Sequence, residues 1–143
     1  MERFLAKTGR SEDDVQTTRI LIVDDDHAGR TFLRAILQNY GYSCEVAENG
    51  QQALLKLASS LSHLVITDQH MPVMNGLQLL EELTRRPELG SPSVILITAY
   101  ESMALKARAL ELGARAVIIK PLPIDELLAA ITTALPRQSS PDS

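Results

Sequence analysis

Hydrophobic and polar positions alternate between two periods along the chain, and the switch occurs five times. Ile20-Leu21-Ile22-Val23 is a continuous apolar run, the pattern of a parallel strand covered on both faces. Leu33, Ile36, Leu37 and Tyr40 then recur at helical spacing, with Gly41 placed to close that helix. A short strand is predicted around Cys44-Glu45-Val46, followed by a helix capped by Asn49 and running through Leu57. The third unit is Leu64-Val65-Ile66-Thr67 with a helix from near Asn75 to about Arg85. The fourth is Val94-Ile95-Leu96-Ile97 with a helix from about Glu101 to Leu112, stopped by Gly113. The fifth is Ala116-Val117-Ile118-Ile119 and a helix expected to bury Ile124, Leu127, Leu128, Ile131 and Leu135. Five strand–helix units in this length predict an α/β fold, a doubly wound parallel sheet with helices on both faces.

The folded unit spans residues 19–135 on this reading. Residues 1–18 are polar and aperiodic and read as a flexible leader; residues 136–143 have the composition of a tail or the start of a linker. The whole chain has 143 residues, enough for one domain. Trp is absent, so Leu, Ile, Val and Ala must fill the core. A formal charge of −4 argues against direct nucleic-acid binding, which calls for a basic face. The single Cys44 excludes an internal disulfide and a cysteine zinc site, and reads as a small buried hydrophobe. No apolar run has the length of a membrane span and the N-terminus is not a signal peptide, so a cytoplasmic protein is expected.

In doubly wound sheets the ligand site lies beyond the carboxyl ends of the strands, where strand order reverses. The residues at those ends are Asp24-Asp25-Asp26, Asp68, Thr98 and Lys120-Pro121. Each alone has an ordinary explanation: a helix cap, a strand-end hydroxyl, a solvated ammonium. Asp26 in particular is expected to cap the first helix. Three carboxylates gathered at neutral pH repel one another and call for a cation, and Mg²⁺ suits a site of few carboxylates. An aspartate can be the nucleophile of phosphoryl transfer, with the metal, Lys120 and Thr98 neutralising the transferred group's oxygens.

These segments resemble the receiver domain of bacterial two-component response regulators, the CheY-like superfamily. The matching stretches are Ile20 to Asp26 with Arg30 and Leu33, Asp68-Gln69-His70-Met71-Pro72-Val73-Met74-Asn75-Gly76, Ile97-Thr98-Ala99, and Gly113-Ala114 leading to Lys120-Pro121. The resemblance implies a flavodoxin-like receiver fold with five helices and strand order 2-1-3-4-5. It implies Asp68 as phosphoacceptor, Asp25 and Asp24 as Mg²⁺ ligands (Asp24 largely through water), and the His70 carbonyl completing the protein's share with Asp68. Thr98 would be the switch hydroxyl and Lys120 the phosphate-contacting cation, with a cis peptide before Pro121. A sensor histidine kinase or a histidine phosphotransfer protein would be the donor. A downstream partner, or a second copy in a homodimer, would dock on the helix 4–strand 5–helix 5 face.

Three positions add detail. Val117 stands where the family often has Tyr or Phe, which removes the aromatic rotamer switch. His70 and Tyr100 flank the phosphorylation position at sites that in the family influence water attack, and two rings there predict slow autodephosphorylation. The fourth helix carries two apolar stripes, Met103/Ala107/Leu110 and Leu105/Ala109/Leu112, and one must face the sheet. Other readings are a receiver-fold binding module that works without phosphorylation, and the receiver portion of a longer response regulator or hybrid kinase. A phosphatase with an aspartyl nucleophile would want a second acid where His70 stands, and no Ser/His/Asp triad or Gly-rich phosphate loop is present.

Overall fold

The computed structural model describes residues 18–135, so the expected leader, apart from Thr18, and the tail lie outside the described residues. The elements alternate strictly: β1 Arg19–Val23, α1 His27–Asn39, β2 Ser43–Ala47, α2 Gly50–Ser59, β3 Leu64–Asp68, α3 Gly76–Arg85, β4 Ser93–Thr98, α4 Met103–Glu111, β5 Ala116–Ile119 and α5 Ile124–Ala134. A single 3-10 turn, Pro87–Leu89, follows α3. The five strands are all parallel, in the expected order β2-β1-β3-β4-β5.

Each apolar strand run feeds both faces of the sheet because successive side chains point opposite ways. Leu21, Val23, Val65, Val94 and Leu96 pack on one side with Leu54 and Leu57 of α2, Leu79, Leu80 and Leu83 of α3, and Ala109 of α4. Ile20, Ile22, Ile66, Ile95, Ile97 and Ile118 pack on the other side with Leu33 and Leu37 of α1 and Leu127 and Ile131 of α5. The β-branched isoleucines therefore favour one layer and leucines dominate the other. Cys44 is buried in the isoleucine layer as expected, and burial pushes its thiol up to about 11.

The helix starts follow the polar caps. The Asp26 carboxylate accepts from Gly29 N at 2.9 Å, Asn49 Oδ1 accepts from Gln52 N at 2.8 Å, and Asn75 forms a reciprocal capping box with Gln78. Ser102 Oγ accepts from Leu105 N at 3.1 Å and starts α4 at Met103, two residues later than the hydrophobic pattern predicts. At the other end of α1, Gly41 adopts φ +96 and the chain turns there. Tyr40 is 60% exposed and does not extend the buried stripe of α1. On α5, Leu127 and Ile131 are buried as expected, but Ile124, Leu128 and Leu135 are only half-buried and Ala134 takes a core place. Among the described residues no helix is long and apolar enough to cross a membrane.

One glycine holds the sheet and the site loop together. A Cβ on Gly76, the first residue of α3, would strike the Leu96 side chain and lie 2.7 Å from the Asp68 carbonyl oxygen. Neither the buried leucine nor the strand backbone can yield without moving β3. Gly76→Ala is expected to lower unfolding free energy by about 1–3 kcal/mol in urea titration, an overpacking effect at a filled contact.

Candidate functional site at the strand carboxyl ends

Strand order reverses at β1, which hydrogen-bonds β2 on one side and β3 on the other, so the crevice expected for a ligand opens above β1 and β3. Register decides which residues meet there. Val23 pairs with Thr67, so the next residues, Asp24 and Asp68, emerge level with each other. Asp68 pairs with Ile97 and Thr98 with Ile119, and Lys120 N donates to Thr98 O at 2.8 Å, which sets Lys120 just beyond the same rim.

Carboxylate oxygens of Asp24, Asp25 and Asp68 all lie within 4.8 Å of one another. Asp68 is buried, Asp24 half-buried and Asp25 exposed, so the cluster grades from the sheet outward to solvent. The Lys120 ammonium reaches Asp68 Oδ1 at 2.9 Å. Asp24 is further oriented: its Oδ1 accepts from Asp26 N at 3.0 Å, and its carbonyl accepts from Arg30 Nη1 at 2.7 Å. Gly29 leaves room for that carboxylate, since a Cβ there would lie 2.9 Å from Asp24 Oδ2. The Lys120–Pro121 peptide is cis.

The electrostatics follow from the crowding. Burial raises the Asp24 pKa above the usual carboxylate range; the negative charges of Asp68 and Asp25 push the same way, against the Asp26 N–H bond and Lys120. Burial draws the Lys120 ammonium down, but the hydrogen bond and charge of Asp68, with Asp24 and Asp25, outweigh it, and its pKa is raised. One ammonium thus faces three carboxylates. The donor set is three hard oxygens, one of them open to solvent, which suits a small divalent cation that keeps several waters.

Thr98 is fully buried, but its hydroxyl is directed along its own loop. Thr98 Oγ1 accepts from Tyr100 N at 3.2 Å and is 3.4 Å from Tyr100 O. The Tyr100 ring in turn meets the His70 ring edge-on, with centroids 5.0 Å apart and planes at 86°. The two rings therefore touch across the β3–α3 and β4–α4 loops. Val117 leaves a groove of about 380 Å³, lined with Thr98, Tyr100, Met103, Leu110 and Ile119. The Leu105/Ala109/Leu112 stripe of α4 faces the sheet, while Met103 and Leu110 are exposed.

One residue of the site escaped the sequence reading. Gln69 is buried, its side-chain Oε1 accepts from Leu77 N at 2.9 Å, and its backbone carbonyl accepts from Gly76 N at 3.0 Å. It ties the loop carrying His70 back to α3. Its only signal in the sequence is a polar residue directly after a buried strand end, which is too common to single out.

The fold and this acidic crevice define a class: a doubly wound receiver-type domain. The family model described as response regulator receiver domain matches residues 20–132, and the chain belongs to that family, the switch modules of two-component signalling. Among curated relatives, the transcriptional regulatory protein ZraR of Klebsiella oxytoca is 39% identical over 117 residues, covering 81% of this chain and 26% of that protein. The response regulator MprA of Mycolicibacterium vanbaalenii is 38% identical over 124 residues, covering 87% of this chain and 52% of that protein. The chain thus spans between a quarter and about half of the length of these relatives. Among solved structures, the Vibrio cholerae chemotaxis protein CheY4 superposes with a TM-score of 0.77 at 27% identity, covering 83% of this chain and 99% of that one. The receiver domain of a Syntrophus aciditrophicus signal transduction histidine kinase gives 0.76 at 34% identity, covering 83% and 90%.

Metal-free protein is expected to be more stable as Asp24→Asn than as wild type, because the amide keeps the Asp26 N–H bond and removes a crowded charge. The folded state holds the Asp24 proton more tightly than the unfolded chain, so ionisation costs stability as pH rises through this range. The advantage should be smallest at about pH 4 and grow as the pH rises to about 7. Thermal melts in chelator across that range check it.

Proposed function

We propose that this domain is a phosphorylation-dependent switch in which Asp68 accepts a phosphoryl group from a phosphohistidine of a sensor histidine kinase or histidine phosphotransfer protein. The observation that carries the reading is that Asp68 meets the Lys120 ammonium at 2.9 Å while its carboxylate gathers with those of Asp24 and Asp25 inside 4.8 Å. A carboxylate oxygen of Asp68 attacks phosphorus, the phosphorus–nitrogen bond breaks, and the imidazole leaves with the bonding pair. Asp24, Asp25, Asp68 and the His70 carbonyl are the groups that would hold Mg²⁺, which supplies neutralisation of the phosphoryl oxygens. Lys120 stays protonated and binds one of those oxygens, with its raised pKa keeping the charge in place.

Transmission runs through Thr98. Its hydroxyl serves the Tyr100 backbone in this structure and cannot also donate to a phosphoryl oxygen, having a single proton. Engaging the phosphoryl group releases Tyr100 and, with it, the edge contact to His70 and the start of α4. This couples Asp68 to the α4–β5–α5 face without an aromatic at position 117, and that face meets the downstream partner or a second copy. The same two rings narrow the approach of water to Asp68, which makes the phosphorylated state long-lived.

Incubation with a small phosphodonor and Mg²⁺, followed by intact-mass measurement, should show a gain of one phosphoryl group that disappears in Asp68→Asn. An unmodified wild type would instead support a binding module that works without phosphorylation. Tyr100→Ala should speed loss of the phosphoryl group by about threefold, a barrier change of roughly 0.65 kcal/mol; an unchanged rate removes the shielding role.

A further inference from the structure

The opposite pole of the sheet carries a second concentration of charge, of the opposite sign. A cleft of about 410 Å³ opens at the amino ends of the strands, lined by Arg19, Ser62, His63, Ser91, Ser93 and Arg115 together with Leu61, Gly90 and Pro92. These residues arrive from four strands: Arg19 begins β1, His63 precedes β3, Ser93 begins β4 and Arg115 precedes β5. Among the described residues, both permanently ionised side chains of the lining are guanidinium groups, and the lining holds no carboxylate. Among the described residues, Arg85, Arg86, Arg108 and Lys120 each have carboxylate partners, whereas neither Arg19 nor Arg115 does. The chain as a whole has a net charge of −4, so two guanidinium groups lining one cleft make a local excess of cation.

The lining is also held in place. Arg19 Nε donates to Leu61 O at 2.8 Å, which pins the guanidinium against the cleft wall and leaves its two terminal nitrogens for another acceptor. His63 Nδ1 accepts from Arg19 N at 2.9 Å, so the neutral imidazole carries its proton on Nε2 and is a donor there. Ser93 Oγ donates to Ala134 O at 3.0 Å and fixes that wall to the end of α5. Gly90 and Ser91 turn the rim with φ +97 and +48. Two planar guanidinium forks, an imidazole N–H and the Ser62 and Ser91 hydroxyls form a set of donors with no anionic side chain among the described lining residues. Guanidinium forks match the paired oxygens of phosphate, and a concave surface of one charge sign concentrates the counter-ion.

We propose that this cleft is a binding site for a small oxyanion of the phosphate class, free or as a monoester, held by Arg19, Arg115 and His63. It is separate from the Asp68 pocket and does not depend on that pocket's chemistry. The test is a titration of the full chain with inorganic phosphate at constant ionic strength, without divalent metal, followed by amide chemical shifts. Saturable shifts at His63, Ser91 and Arg115 are expected. Arg115→Gln, which removes a side chain with no ion pair among the described residues, should weaken binding at least about fivefold, while Arg34→Gln, an exposed cation of α1 outside the cleft, leaves it unchanged. Arg19→Lys keeps a charge but loses the fork, and intermediate weakening is expected. A parallel titration with O-phosphoserine separates the sources: tighter binding than phosphate assigns a monoester, and equal binding assigns the bare oxyanion. Shifts that match those of chloride, that persist in Arg115→Gln, or that appear only around Asp68 overturn the proposal.

Discussion

Like-charge repulsion at one rim of the sheet is the constraint around which the rest of the molecule is arranged. Three carboxylates lie within 4.8 Å of one another, and the chain opposes them with a single ammonium. Left in solvent, such groups would separate. They stay together because Asp24 and Asp68 are rigidly levelled by the β1–β3 register and because each strand end is buried in a two-sided core. The stability of the parallel sheet is thus what holds an unfavourable charge arrangement in place. Much of the surrounding detail serves the same end: Arg30 on the Asp24 carbonyl, the missing side chain at Gly29, and the Gln69 clamp on the β3–α3 loop.

The two poles of the sheet contrast in sign. The carboxyl ends gather acids and one lysine; the amino ends gather two unpaired arginines and a histidine among the described residues. Both follow from parallel topology, which sends every strand the same way and collects the flanking residues of distant segments at a common edge. An antiparallel sheet of the same strands would scatter these residues between both edges. Between the poles, the helices divide unequally: α1 and α5 cover the isoleucine layer, and α2, α3 and α4 cover the leucine layer. α4 is the least buried of them, with Ala109 its one buried residue, which suits an element whose position depends on the loop before it.

The loop between β4 and α4 carries the most information that sequence could not supply. A threonine after a strand reads as a hydroxyl aimed at the neighbouring site. Here the hydroxyl is satisfied by the Tyr100 backbone, because a buried polar group without a ligand must find a partner close by. That local bond, together with the His70–Tyr100 edge contact, defines a resting arrangement from which phosphoryl binding would depart. The two apolar stripes of α4 part in the same region: Leu105, Ala109 and Leu112 meet the sheet, leaving Met103 and Leu110 on the groove beside Val117.

By itself the sequence determined the five strand–helix units, the strand order through its family resemblance, and the identity of Asp24, Asp25, Asp68, Thr98 and Lys120 at successive strand ends. These are legible because strand runs buried on both faces are continuously apolar, so the first polar residue after each run marks the rim. Caps at Asp26, Asn49 and Asn75 were legible for the same local reason, a short polar side chain reaching its own backbone. Tertiary structure decided what depends on contacts between distant segments. It exposed Tyr40, chose Ala134 over Leu135 for the core, and clamped Gln69 to Leu77. It also turned the Thr98 hydroxyl toward Tyr100 and brought Arg19, His63 and Arg115 into one cleft. None of these has a period or a spacing, because each is set by the relative placement of elements rather than by the order of residues within one.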